Sequence, residues 1–172
     1  MKRTEQIIKQ YQLLTDWFLS VLDGVSDTDG SKTMNSHTNS LEWLAGHLIT
    51  GRYRNMVRLG MQVEPYKYLD KFVNPTIPPP NAIAFDPSIK YATLTECKEQ
   101  WNIYSTSLLD KLKSIDESLL ESEIPFTVLT GGNTLEDILA FIVMHESYHI
   151  GQMSNIRKLL GYNSMQLSRR TK

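Results

Sequence analysis

From Leu135 to Leu160, apolar side chains recur every three or four residues, at Leu135, Ile138, Leu139, Ile142, Ile156 and Leu160. The same stripe carries His145 and His149, followed by Gln152 or Met153. At about 100° per residue the two imidazoles lie about 40° apart, one turn above the other. A helix of this length must lay its apolar face on partners, and those partners must accommodate two polar rings in the seam. An imidazole left there without a hydrogen bond costs roughly 1–3 kcal/mol. One such histidine is ordinarily a satisfied core residue; two, one turn apart, point to a divalent metal.

The partners are legible in the same way. Residues 4–23 place Ile7, Tyr11, Leu14, Phe18 and Leu22 on one face, and helical periodicity extends over residues 39–60, 94–116 and 134–160. Asn39, Thr93 and Asn133 each precede a glutamate by three residues, a spacing in which cap and glutamate satisfy each other's backbone N–H groups. Asp23-Gly24 stops the first helix, and Gly161 stops the last, with Arg157 and Lys158 near its negative end. No run of alternating residues competes, and residues 124–129 offer one short extended piece without a partner. The chain therefore predicts an all-α, single-domain protein over residues 1–172, a four-helix bundle.

Between the second and third helices, residues 61–92 hold six of the seven prolines, including Pro78-Pro79-Pro80, together with Tyr66, Tyr68, Phe72 and Phe85. So long and stiff a connection reads as a crossover strap packed on the bundle, or as a lid shaping a pocket. A formal net charge of −1 gives no case for nucleic acid or an anionic membrane surface. No run reaches the roughly 18 apolar residues of a membrane span, and the start does not read as a signal peptide. The single cysteine, Cys97, excludes an internal disulfide and fits a reducing cytoplasm, where it is expected as a buried, inert thiol.

His145-Glu146-Ser147-Tyr148-His149 matches the H-E-x-x-H pattern of zinc peptidases. Those enzymes take their third ligand downstream, and no Asp, Glu or His follows His149 here. The peptidase reading fails on that ligand and on the lack of a sheet edge for a peptide. A di-iron carboxylate centre needs two Glu-x-x-His units, and the chain offers Glu146 to His149 alone. His47 is the better third ligand: it borders the buried stripe of the second helix, beside Gly46 and Gly51, which allow close helix approach. His37 is expected in solvent. Three neutral imidazoles with an open fourth position make a catalytic type of site, whose water a divalent ion acidifies. Zn²⁺, Ni²⁺ and Fe²⁺ all accept such ligands.

Trp43-Leu44-Ala45-Gly46-His47-Leu48 and His145-Glu146-Ser147-Tyr148-His149-Ile150-Gly151-Gln152 together resemble the DinB-like superfamily of metal-binding four-helix bundles, in helix order over nearly the whole chain. The resemblance implies one divalent ion on His47, His145 and His149. An arginine common in that family is replaced here by Ile150. Relatives include thiol-dependent S-transferases, a thiol-dependent isomerase and proteins described only as metal-dependent hydrolases. The expected function is therefore a metal-dependent enzyme with a small-molecule substrate, transferring a low-molecular-weight thiol or hydrolysing a bond. The alternative is a non-catalytic metal-binding bundle with a structural or sensing role, and a homodimer is expected.

The roles of the neighbouring residues stay open at this level. Glu146 is the candidate general base, but it lies about 100° from His145 and would equally pair with a cation at the helix edge. Gln152, three residues after His149, is placed to orient a ligand or to sit at the core edge. Arg52, Arg54 and Arg58 form either a solvated basic face or contacts to a charged thiol. Trp43 and Tyr148 read as packing residues or as pocket lining.

Overall fold

The computed structural model describes residues 3–77 and 81–167, so Pro78-Pro79-Pro80 lies outside the described residues. Four long helices form where the periodicity predicts them: α1 (Arg3–Leu22), α3 (Leu41–Arg58), α4 (Leu94–Ser114) and α5 (Leu135–Leu159). A single turn, α2 (Asp27–Gly30), and two 3₁₀ turns at Leu69–Lys71 and Glu117–Glu121 were not visible in the periodicity. Turns so short show no repeat; α2 rests on a local bond, the Ser26 hydroxyl accepting from the Asp29 amide. Among the described residues no helix is long and apolar enough to cross a membrane.

The caps refine the expected starts. Thr93 and Glu96 form the reciprocal box at α4 as predicted. At α3 the cap is Ser40 rather than Asn39, and at α5 it is Thr134, boxed with Asp137 rather than Asn133 with Glu136. Asn133 is otherwise engaged: its carbonyl accepts from the Ile124 amide, and Glu123 pairs with Thr134 as an isolated antiparallel bridge. The extended piece near residue 124 thus has a partner after all, the entrance to α5.

α1 and α3 each pack between α4 and α5, so the four helices form a square with α1 diagonal to α3. Thr4 bonds to Glu117, just past the end of α4, which makes α1 and α4 antiparallel. Arg157 near the end of α5 donates to the Val21 carbonyl at the end of α1, so those two run parallel. α3 and α4 are also parallel: Ser40 and Thr93 at their starts line one cleft, and Tyr53 packs on Tyr104 midway. Parallel neighbours need a connection that returns the full length of a helix, about 27 Å for the 18 residues of α3. This is the physical reason for the long crossover.

The crossover is anchored by aromatics. Tyr66, Phe72 and Tyr91 are buried, and Phe72 and Asn81 straddle a short antiparallel pairing in which the Ile83 amide donates to the Phe72 carbonyl. Phe72 sits directly on Gly46 of α3, where an added Cβ would meet the Phe72 ring at 2.3 Å. Phe72 is itself buried, so admitting the methyl displaces the ring or the strap that carries it, and Gly46→Ala should cost about 1–3 kcal/mol, read as a lowered urea midpoint. A midpoint unchanged from the parent would show that the strap is not seated there.

The predicted face of α1 is buried throughout, as are Leu135, Ile138, Leu139 and Ile142 of α5. Cys97 is buried, and burial pushes its thiol up to about 12, in keeping with an inert role. His37 is exposed.

Candidate metal centre

α3 and α5 bring three imidazoles together. Nε2 of His145 lies 3.1 Å from Nε2 of His47 and 3.1 Å from Nε2 of His149. Among the described residues this is the one group of three metal-ligating side chains that converges, with ligand atoms within 4.8 Å of one another. A tetrahedral ion with bonds of about 2.0–2.1 Å sets its ligand nitrogens about 3.3 Å apart, close to what is found. Each ring is half-buried.

One hydrogen bond at the edge of the cluster fixes which nitrogen of His149 faces inward. With Gln152 Oε1 as acceptor at 2.7 Å, His149 carries its proton on Nδ1 and presents a lone pair at Nε2. Gln152 in turn donates to the Tyr148 hydroxyl at 3.0 Å. The His47 ring stacks on Trp43, 4.9 Å between centroids and 8° from parallel, which holds its plane. Trp43 is buried packing, whereas Tyr148 is largely exposed.

Electrostatics favour neutral rings. Burial, then the neighbouring imidazoles and Arg54, push His47 down to about 3. Burial and His149 push His145 down to about 4, and burial lowers His149 against the opposing pull of Gln152. Neutral rings create a local problem, however. The single Nε2 of His145 faces two other Nε2 atoms at hydrogen-bonding distance, and the one facing it from His149 is a lone pair. Whether His145 Nε2 carries a proton or a lone pair, it cannot satisfy both neighbours. A cation at the centre of the three satisfies all of them, so the donor set fits a divalent metal ion.

Glu146 lies on another side of the same turn. Both of its oxygens accept from Arg52, from Nε at 2.9 Å and from Nη2 at 2.9 Å, and both side chains are fully buried. The Arg52 guanidinium also donates to Thr15 Oγ1 at 2.7 Å, to Ser105 Oγ and to the Tyr11 carbonyl, and it sits 3.5 Å over the Trp101 ring. One ion pair thus ties together all four long helices. Arg52 is a core residue, not part of a solvated face. Thr15 and Ser105 carry no motif, their only sequence signal being a hydroxyl on or beside an apolar stripe, and the Tyr11 backbone carbonyl carries none.

A cavity of about 290 Å³ opens beside the histidines. His47 and His145 form one end, Thr50, Gly51, Arg54 and Arg58 continue along α3, and Phe72, Val73, Asn81 and Ala82 of the crossover close over it. The crossover therefore serves both as a packed strap and as pocket lining. Arg54 and Arg58 are half-buried on this lining, whereas Arg52 lies wholly in the core.

A family model described as the DinB superfamily matches residues 10–153. Two solved structures share the fold: a DinB-like protein from Bacillus cereus, 14% identical with a TM-score of 0.68, covering 97% of each chain, and a conserved protein from Enterococcus faecalis, 16% identical with a TM-score of 0.73, covering 93% of this chain and 98% of that one. None of the curated proteins matches the chain.

Proposed function

The chain belongs to the DinB superfamily, and on that premise we propose that it is a metal-dependent enzyme acting on a small molecule. His47, His145 and His149 would hold one divalent ion, Zn²⁺, Ni²⁺ or Fe²⁺, and three protein ligands would leave it able to take a substrate group. The observation that carries this reading is that two of the three ligands, His47 and His145, line the cavity. A purely structural zinc site normally closes with four protein ligands, and three converge here among the described residues. When bound, the ion supplies Lewis acidity that lowers the pKa of a thiol or a water reaching it.

The chain's own residues orient that chemistry. Gln152 fixes the tautomer of His149, and Trp43 fixes the plane of His47. Glu146 is a positioning residue: held by Arg52, it sets the rotation of α5 from which both of its flanking histidines project. Its engagement with Arg52 removes the support for a general base.

Transfer of a low-molecular-weight thiol to an electrophile is the preferred reaction, and hydrolysis is the alternative. The test is a panel of small thiols, such as cysteine, glutathione and coenzyme A, against an aromatic chloride electrophile, with the metal-loaded full chain. Thiol conjugation abolished by His145→Ala supports transfer, and turnover of ester or amide substrates without thiol supports hydrolysis. An ion bound with no turnover of either kind would leave only the non-catalytic role.

A further inference from the structure

Arg54 and Arg58 are the unexplained part of the cavity. His47, Arg54 and Arg58 stand seven and eleven residues apart on α3, so the two arginines fall within about 20° of the azimuth of His47, on either side. Arg54 lies about 10 Å along the axis from His47 and Arg58 about 16 Å. Both are half-buried, and among the described residues neither forms an ion pair with a carboxylate. Arg58 donates to Asn55 Oδ1 and lies near the Phe126 ring, both neutral partners. Two like charges are thus drawn from water side by side with no counter-charge, an arrangement that costs free energy until an anion completes it. Burial, and for Arg58 the adjacent Arg54, lower the affinity of both for their protons, which reflects the same cost. The rest of the lining is mainly apolar and includes Phe72, Val128, Ile138 and Phe141.

We infer that this cavity takes a small, mainly apolar molecule with one acidic group, its carboxylate gripped by Arg54 and Arg58 and its far end reaching His47 and His145. Gly51 makes the passage between the two ends. It lies between His47 and Arg54 on the lining, and a Cβ added there meets nothing within 4 Å. A planar guanidinium pair suits a carboxylate, which accepts two parallel N–H donors. What the far end meets rests on the proposed metal site, whereas the anion grip does not.

The test uses 4-phenylbutyrate, its neutral counterpart 4-phenylbutanol and the cation 4-phenylbutylamine, titrated calorimetrically into the full chain, metal-free and Zn²⁺-loaded. The carboxylate should bind the metal-free chain at least tenfold more tightly than the alcohol, and the amine should bind most weakly. In Arg54→Gln with Arg58→Gln that preference should shrink to within about twofold. Gly51→Leu raises helix propensity and fills the passage, so it should weaken carboxylate and alcohol alike by more than tenfold with Zn²⁺ uptake unchanged. Equal binding of carboxylate and alcohol by the parent chain, or a preference that survives the double replacement, would overturn the inference. A carboxylate preference in a chain that takes up no metal would sustain it while defeating the metal-enzyme reading. Metal uptake without the preference would do the reverse.

Discussion

Arg52→Met is expected to cost the fold about 3–5 kcal/mol, because it leaves the Glu146 carboxylate buried without its counter-charge. For a chain of this size that corresponds to a fall in Tm of roughly 6–20 °C. The loss has two sources. Glu146 would lose both of its charge-assisted hydrogen bonds, and the Thr15 and Ser105 hydroxyls and the Tyr11 carbonyl would lose their shared donor. Replacing both partners, Arg52→Met with Glu146→Leu, should recover most of the stability, since an apolar pair of similar volume removes the buried charge altogether. Urea denaturation of the two variants makes the comparison. If the single variant lost less than about 1 kcal/mol, the pair would not be the buried tie between helices described above.

His145→Ala is expected to have the largest effect on metal. His145 is the central imidazole, since its Nε2 lies 3.1 Å from both of the others. Its removal should weaken binding by well over the 10–100-fold that follows loss of a ligand's hydrogen-bond partner, the scale expected for Gln152→Ala. The fold should survive, because the ring is only half-buried and removing it also relieves the crowded nitrogens of the metal-free state. Thermal denaturation separates these effects. Metal at about 100 times its Kd should stabilise the parent by about 2.7 kcal/mol, and the same addition should do nothing for His145→Ala. Equal stabilisation of both chains would remove His145 from the site.

The parts of this molecule that were legible in the sequence are those with a repeat or a fixed spacing. The stripe of α1, the two histidines of α5 and the Thr93 box each follow from local geometry, and His47 follows from needing a partner for the other two. The crossover's length was legible from its prolines, but the seating of Phe72 on Gly46 was not, since it joins residues with no spacing relation. For Arg52 the sequence offers a solvated face or a ligand contact, and the burial it shows instead has a physical reason. An arginine on a helix reads as solvated, and its burial depends on Glu146 from α5, Ser105 from α4 and Thr15 from α1 arriving together. The same convergence gives Glu146 its partner, which the H-E-x-x-H pattern alone suggests is a water. The caps at Ser40 and Thr134 differ by one residue from the expected ones because the bridge at Thr134 and the hydroxyl at Ser40 compete better than a neighbouring asparagine.

X-ray absorption spectroscopy with metal quantification on the full chain, purified without a histidine tag, tests the central claim most directly. One ion per chain, with three imidazole nitrogens at about 2.0–2.1 Å and a further light-atom ligand, is the predicted result for zinc. A chain that takes up no divalent ion, or one whose ion keeps its full imidazole shell in His145→Ala, would contradict it.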